Sequence, residues 1–274
     1  MQMKQVGKIA GGQDGAIWEN LLFRFQNHGG CHAYDLDTLE EIAQFCLDAT
    51  DAWMPHSNAV MFGSEYFAED DEFPLLYTNV YNTYAKEENR REGVCCVYRI
   101  TRNGDSFRGQ LVQAITVGFT KDANLWCSED GDIRPYGNFV IDREKGIYYG
   151  FTMRDKAQTT PYFAFKLPTL AQGAQVVLTA DDILDSFACP YHHFIQGACV
   201  HKGILFSLEG FTNDSVNVPA IRIIDPEKKE QLCYVITAQY GMPHEPEMID
   251  FRGDTCYCSD CDGNLFVIEE IGYV

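Results

Sequence analysis

The sequence has no long apolar run, and no segment approaches the roughly 20 apolar residues of a membrane-spanning helix. The N-terminal stretch MQMKQVGKIAGGQDG lacks the apolar core of a secretory signal peptide, so we expect a cytoplasmic protein. No cluster of basic residues is longer than NRRE (89–92). The chain has 40 acidic residues, 21 basic residues and a net charge of −19. We therefore expect neither nucleic acid nor a membrane as a partner, but a small molecule, an ion or another protein.

Helical periodicity is almost absent as well. Only TLEEIAQFCLDA (38–49) and TADDILDSF (179–187) are compatible with helices, and both are short. Short runs rich in Val, Ile, Tyr and Phe recur between turn signals instead, which is typical of an all-β sandwich, barrel or propeller.

Internal repetition favours the propeller. Five segments share a layout of three strands, and each begins at a polar residue: Asp14, Asn58, Asn138, Gln196 and Glu247. Four of them have a predicted fourth strand: EIAQFCL (41–47), QLVQAITV (110–117), AQVVLT (174–179) and EQLCYVIT (230–237). The fifth set lacks one, and MKQVGKIA (3–10) at the N-terminus supplies it. We predict an all-β, five-bladed β-propeller, a single domain over 1–274 with four-stranded blades, whose last blade is closed by the N-terminal strand. The second blade carries insertions at 63–73 and 82–93.

Three cysteines crowd the segment DTCYCSDCDGN (254–264), and the chain has 11 in all. An odd number of cysteines in a cytoplasmic chain indicates reduced thiols. Strand alternation places Cys256 and Cys258 on one face, where they would pack like Leu or Val. A zinc site usually requires four ligands in two pairs, and no second pair lies nearby in sequence. We interpret Cys256, Cys258 and Cys261 as core and turn residues, with a metal or redox site as weaker alternatives.

The inner strands of a propeller begin at one face, so the five polar starting residues should form a ring around the tunnel mouth. The turns after the second strands would bring five more polar residues towards the rim: Arg24, Asn79, Arg154, Glu209 and Asp260. The entry loops would add four residues: His56, Tyr136, His193 and His244. Such a ring predicts a site for a small molecule or ion. Its oxygens suit a cation such as Ca²⁺, the histidines could instead hold Zn²⁺, and the ring could equally satisfy its own polar groups together with water.

One segment resembles a known enzyme family. HHFIQGACVHKGILFSLEGFTN (192–213) is similar to the opening of the glutaminyl cyclase (glutamine cyclotransferase) family, which is built on a five-bladed propeller. The residues at corresponding positions are Phe194, Gln196, Gly197 and Glu209, whereas Ile195 and Ala198 depart from the family's pattern. Glu247 falls where that family has its proposed acid/base, and AIWENLLFRFQNHGGCHAYDLDTLE (16–40) resembles one of its hairpins.

The resemblance implies an intramolecular acyl transfer, in which the amine of an N-terminal glutamine attacks its own side-chain amide and releases ammonia. Glu247 would then move the proton, while Gln196 and Asn138 would orient the amide. Sugar chemistry is a further alternative, since Asp14, Glu209 and Glu247 could supply a pair of carboxylates. A binding propeller without chemistry stands first among these hypotheses, because the fold alone does not select a function. The predicted ligand-binding set is Asp14, Asn58, Asn138, Gln196, Glu247, His56, His193, His244 and Arg154, and the predicted catalytic pair is Glu247 and Glu209.

Overall fold

A computed structural model of the chain describes residues 1–80, 93–117, 138–151, 159–190 and 195–271. Its strands form five sheets, four of them four-stranded and one five-stranded. Each sheet is a blade, and the blades are arranged in a ring, as the five-fold repeat of the sequence predicts.

The strands follow one another blade by blade. The chain begins with β1 (Gln2–Lys8). The first blade contains β2 (Gly15–Trp18), β3 (Leu21–Phe25), β4 (Gly30–Asp35) and β5 (Glu41–Cys46), and the short helix α1 (Thr50–Trp53) follows it. The second contains β6 (Val60–Phe62), β7 (Leu76–Val80), β8 (Val94–Asn103) and β9 (Ser106–Val117). The third contains β10 (Asn138–Asp142), β11 (Ile147–Phe151) and β12 (Thr159–Lys166), followed in the chain by β13 (Gln175–Leu178) and β14 (Ile183–Pro190). The fourth contains β15 (Ile195–His201), β16 (Ile204–Glu209), β17 (Ala220–Asp225) and β18 (Glu230–Ile236). The fifth contains β19 (Pro246–Arg252), β20 (Thr255–Asp260) and β21 (Asn264–Glu269).

The N-terminal strand closes the ring. β1 pairs antiparallel with β21, from Gln2 opposite Glu269 to Lys8 opposite Asn264. The last blade thus takes its outermost strand from the start of the chain and its other three from the end. This confirms the closure predicted from the sequence, which leaves no free end between the first and last blades.

The two segments compatible with helices do not form α-helices, and EIAQFCL (41–47) is confirmed as the fourth strand of the first blade. TLEEIAQFCLDA contains β5, and TADDILDSF forms one 3₁₀ turn at Ala180–Asp182 followed by β14. Both segments contribute strands because each has a neighbouring strand to pair with: β5 pairs with β4, and β14 pairs with β12. Backbone pairing and packing of this kind override a weak local periodicity.

The strand AQVVLT also differs from its prediction. Its core, β13, pairs parallel with β9 at the edge of the second blade, whereas β14 is the fourth strand of the third blade. The chain therefore crosses from the third blade to the second and returns. The Gln113 side chain of β9 holds this crossing by donating to the carbonyls of Thr169 and Gly173 at 2.9 and 2.7 Å.

The hydrophobic core lies between neighbouring blades. One cluster joins the first and second blades around Phe23 and Phe73, and a second extends from the second blade to the fourth around Tyr77 and Tyr148. The fifth blade packs on the fourth through one cluster and on the first through another. Both faces of each sheet are covered, so the second strand of each blade is buried along almost its whole length.

The cysteines predicted as scaffold lie in this core. Cys256 and Cys258 are buried in the cluster between the fourth and fifth blades, while Tyr257 faces the cluster on the other side. Cys261 is half-buried in the following turn. The strand alternation predicted for this hairpin is confirmed.

The insertion at 63–73 connects the end of β6 to β7 and so lies at the face opposite the one where the inner strands begin. Its Asp71 forms an ion pair with Arg99, and the Arg99 guanidinium lies 4.7 Å from the ring centre of Phe67. The insertion at 82–93 falls almost wholly outside the described residues. None of the helices in the described part of the chain is long and apolar enough to cross a membrane.

Candidate functional site at the entry face

The inner strands of the five blades are β2, β6, β10, β15 and β19, and they surround the axis of the ring. We call the face at which these strands begin the entry face. The five residues predicted to form a ring lie there, within two residues of the first residues of the inner strands, and all are buried. The structure divides them into two groups with different environments.

Amides form the first group, and they satisfy one another. The Asn79 amide donates to the side-chain oxygens of Asn58 at 2.5 Å and Asn138 at 3.0 Å. Asn58 and Asn138 both donate to the backbone carbonyl of Ile195, at 3.4 and 3.1 Å. The second, third and fourth blades are therefore tied together near the axis by a network of amides. In this part of the ring the polar groups satisfy one another, which is one of the alternatives that the sequence left open.

Charges form the second group, at the junction of the first and fifth blades. Asp14 has no exposed surface; its Oδ2 accepts from the Val60 backbone N–H at 2.8 Å, and its Oδ1 has no partner among the described residues. Glu247 is 4% exposed, and its Oε2 is likewise without a partner in that part of the chain. Burial raises the pKa of both carboxyl groups well above the usual range, and the nearby Arg24 opposes the rise.

Arg24 was expected at the rim but is fully buried between the first and fifth blades. Its Nη2 donates to the backbone carbonyls of Gly12 at 3.0 Å and Asp260 at 3.2 Å. Nε and Nη1 find no acceptor within the described ranges. Burial lowers the pKa of Arg24, and the strongest opposing influences are the carboxylates of Glu247 and Asp14. Arg24 is thus the cation between two buried acids. The sequence could not show this, because an arginine at the end of a second strand reads equally well as a rim residue.

A residue missed by the sequence analysis lies beside this group. Glu245 is half-buried, and burial raises its pKa to about 6. Its carboxylate accepts a hydrogen bond from the Gln196 side chain, and its backbone N–H donates to the Thr212 hydroxyl at 2.8 Å. Only Pro246 separates Glu245 from Glu247, and this Glu-Pro-Glu sequence was the available signal. We call Asp14, Arg24, Gln196, Glu245 and Glu247 the charged group.

The backbone of the fourth blade closely approaches the charged group. Gly197 lies in a bulge of β15, between the paired positions Ile195 and Ala198. A Cβ atom at Gly197 would lie 2.6 Å from Asp14 Oδ1 and would overlap the backbone oxygen of Glu247. Glycine is therefore required here so that the first, fourth and fifth blades can meet.

The other predicted site residues have partners of their own. Arg222 binds Glu209 through Nε at 2.7 Å and through Nη2 at 3.2 Å, and both residues are buried. Asp260 accepts from the backbone N–H groups of Asp262 and Asn264, which fixes the turn after β20. Glu209 and Asp260 are therefore buried, and their side chains have partners within their own blades. The catalytic role of Glu209 stays a prediction.

Two of the predicted site histidines, His56 and His244, lie in the described part of the chain. Burial lowers the pKa of His56 to about 4, so its ring is neutral near pH 7. His244 Nδ1 lies 3.7 Å from Asp262 Oδ2 at the surface. Tyr136, Arg154 and His193 lie outside the described residues. Within the described residues no group of three or more His, Cys, Asp or Glu side chains could hold a metal ion.

Comparison with known proteins identifies the fold. No protein-family model matches the chain, and no curated protein matches it in sequence. Among solved structures, the crystal structure of glutaminyl cyclase from Myxococcus xanthus is similar over 98% of this chain and 94% of that chain, with a TM-score of 0.52 and 9% sequence identity. A chain of the mitotic checkpoint complex (TM-score 0.39, 8% identity) covers 94% of this chain, and Sqt1 of Saccharomyces cerevisiae (0.38, 8%) covers 91%. This chain spans 60% and 54% of those two. At such identities the similarity shows the fold alone, and the chain is a five-bladed β-propeller that is similar in fold to that glutaminyl cyclase structure.

Proposed function

We propose that the protein binds a small polar molecule at the charged group on its entry face. The observation that carries this proposal is a set of buried polar atoms without hydrogen-bond partners among the described residues: Asp14 Oδ1, Glu247 Oε2, Arg24 Nε and Arg24 Nη1. Buried polar groups in folded proteins are nearly always paired with protein, ordered water or a ligand. Convergent polar groups at the mouth of a tunnel are the default place for a ligand.

The residues of the charged group differ in how deeply they are buried. Its deep end is formed by Asp14 and Arg24, which are fully buried, whereas Glu245 at its outer end is half-buried. Polar groups therefore extend from the surface towards the axis. The amide network on the other side of the ring has its hydrogen bonds made internally, which supports a site at the charged group and not across the whole ring.

The test is NMR of protein labelled at the methionine methyl groups. Met248 follows Glu247 in the chain and is fully buried between the fifth and first blades, so its methyl group reports on the site. Met3, in the outermost strand of the fifth blade, is the internal control. We expect some members of a polar fragment library to shift the Met248 signal but not that of Met3, and we expect Glu247→Gln to weaken those shifts. A library that never shifts Met248 selectively would contradict the proposal.

Acyl transfer of the cyclotransferase type is a second candidate, and the environment of Glu247 favours it. A general acid or base works best when its pKa lies near the working pH, and burial moves Glu247 in that direction. In the reaction the α-amine of an N-terminal glutamine would form a bond to the side-chain carbonyl carbon, and the C–N bond to the amide nitrogen would break. Glu247 would accept the proton of the attacking amine and return it to the departing ammonia.

Ammonia release from a peptide with an N-terminal glutamine tests this candidate. Turnover should be lost in Glu247→Gln and retained in Glu40→Gln, an exposed matched control. Turnover that survives Glu247→Gln would remove Glu247 from the mechanism. Sugar chemistry has less support, because the ion pair with Arg222 already occupies Glu209.

A further inference from the structure

The unpaired atoms of the charged group differ in kind, and this difference carries information about the ligand. Two are carboxylate oxygens, on Asp14 and Glu247, and two are N–H groups of Arg24. A carboxylate accepts and a guanidinium only donates, so one ligand that satisfies both must present donors and an acceptor.

The backbone of Glu247 lies close to the Asp14 carboxylate. Gly197 is the marker: a Cβ added there would be 2.6 Å from Asp14 Oδ1 and would overlap the backbone oxygen of Glu247. Burial raises the pKa of Glu247, and the neighbouring carboxylates of Glu245 and Asp14 raise it further. A donor that enters between Asp14 and Glu247 can therefore meet oxygens from two blades.

The local charge favours a cation. Arg24 is the only fully buried cation among the described residues, and it faces Asp14, Glu247 and Asp260. Glu245 adds a further acid at the outer end, and the chain as a whole carries a net charge of −19. An ammonium group would balance the excess of carboxylates, and charge-assisted hydrogen bonds are the strongest that such oxygens make.

On these grounds we propose that the ligand is a small amine with a hydroxyl or carbonyl oxygen next to its amino group. The ammonium group binds Asp14 Oδ1 and Glu247 Oε2, and the oxygen accepts from Arg24 Nε or Nη1. This inference rests on the proposed function and specifies its ligand class. No bond is formed or broken.

Three probes of nearly equal size separate the two requirements. Ethanolamine carries the amine and the oxygen, n-propylamine carries the amine alone, and 1-propanol carries the oxygen alone. We expect ethanolamine to shift the Met248 methyl signal with at least threefold higher affinity than n-propylamine, and 1-propanol to produce no saturable shift. Glu247→Gln should reduce the affinity for both amines about tenfold or more, whereas Glu40→Gln should leave both unchanged.

The results with these three probes test the ligand class, whereas the fragment library tests the binding site itself. Binding of 1-propanol as tight as that of ethanolamine, or equal binding of both amines, overturns the ligand class. If none of the three probes shifts Met248 while other fragments do, the ligand class also falls and the binding site stands. Failure of both experiments removes the site as well.

Discussion

The carboxylate of Asp250 in the fifth blade accepts a hydrogen bond from the backbone N–H of Ile17 in the first blade, at 2.7 Å. The same kind of contact joins other blades: Asp14 accepts from Val60 N–H at 2.8 Å. Inner strands have no neighbouring strand on the side that faces the axis, so some of their backbone groups need side-chain partners. Side chains of the preceding blade supply them.

Replacement of Asp250 tests this joint. Asp250→Ala leaves the backbone N–H groups of Ile17 and Phe251 without their acceptor, and the unfolding free energy should fall by roughly 1–3 kcal/mol. Urea unfolding measures the change. Asp105→Ala removes an exposed aspartate in the hairpin between β8 and β9 and should stay within about 0.5 kcal/mol of the parent. Equal stability of the two variants would show that the joint contributes nothing.

The close approach at Gly197 gives a second prediction. Gly197→Ala places a methyl group against Asp14 Oδ1 and the Glu247 backbone, and neither can move freely because both are buried between blades. Overpacking of this kind should lower the unfolding free energy by about 1–3 kcal/mol.

Gly30→Ala is the matched control for this substitution. Gly30 has a φ of −62°, and the nearest atom to an added Cβ lies 3.8 Å away, so alanine fits without strain. Thermal unfolding of the two variants should separate them by several degrees. A Gly197→Ala protein as stable as Gly30→Ala would show that the three blades do not meet as tightly as described.

The ring of five blades could be predicted from the sequence because it is built from a repeated unit. Polar residues such as Asn58 and Asn138 begin equivalent strands, and the strand missing from the last blade had one candidate at the N-terminus. The path of β13 could not be predicted, because Gln175–Leu178 has the alternation of any outer strand and only the free edge of β9 decides where it pairs.

The site was predictable in part, for a related reason. Repetition identified the positions that begin the inner strands, so Asp14 and Glu247 were named from the pattern. It said nothing about which side chains would pair, because pairing depends on distances between blades. The amide network around Asn79 and the burial of Arg24 depend on those distances, which a sequence of this kind does not encode locally.

Removal of the buried cation should be costly. Arg24→Met leaves Asp14 and Glu247 without a counter-charge, and loss of one partner from buried charges typically costs about 3–5 kcal/mol. Arg108→Met, at an exposed position in β9, should change stability by less than about 0.5 kcal/mol.

A double variant separates lost charge from lost packing. Glu247→Gln added to Arg24→Met removes one of the two stranded carboxylates, so the pair should be less destabilised than the sum of the single changes. Urea unfolding of all three variants at pH 8 gives the coupling energy. Simple additivity would mean that Arg24 and Glu247 do not interact.

The pH dependence of stability should identify Glu247 as a carboxyl group that is buried at a cost. Because its pKa is raised in the folded protein, the native state holds this proton to a higher pH than the unfolded chain does. Its contribution to stability is therefore complete at pH values below the ordinary glutamate pKa and is lost as the pH rises through the folded value.

Glutamine at position 247 is neutral at every pH. Glu247→Gln should thus match the parent near pH 4.5 and be more stable than the parent at pH 9, while Glu40→Gln should follow the parent at both. Urea unfolding at the two pH values measures the difference, and a Glu247→Gln protein that loses stability in parallel with the parent would show that Glu247 is ionised without penalty and is not the buried acid described here.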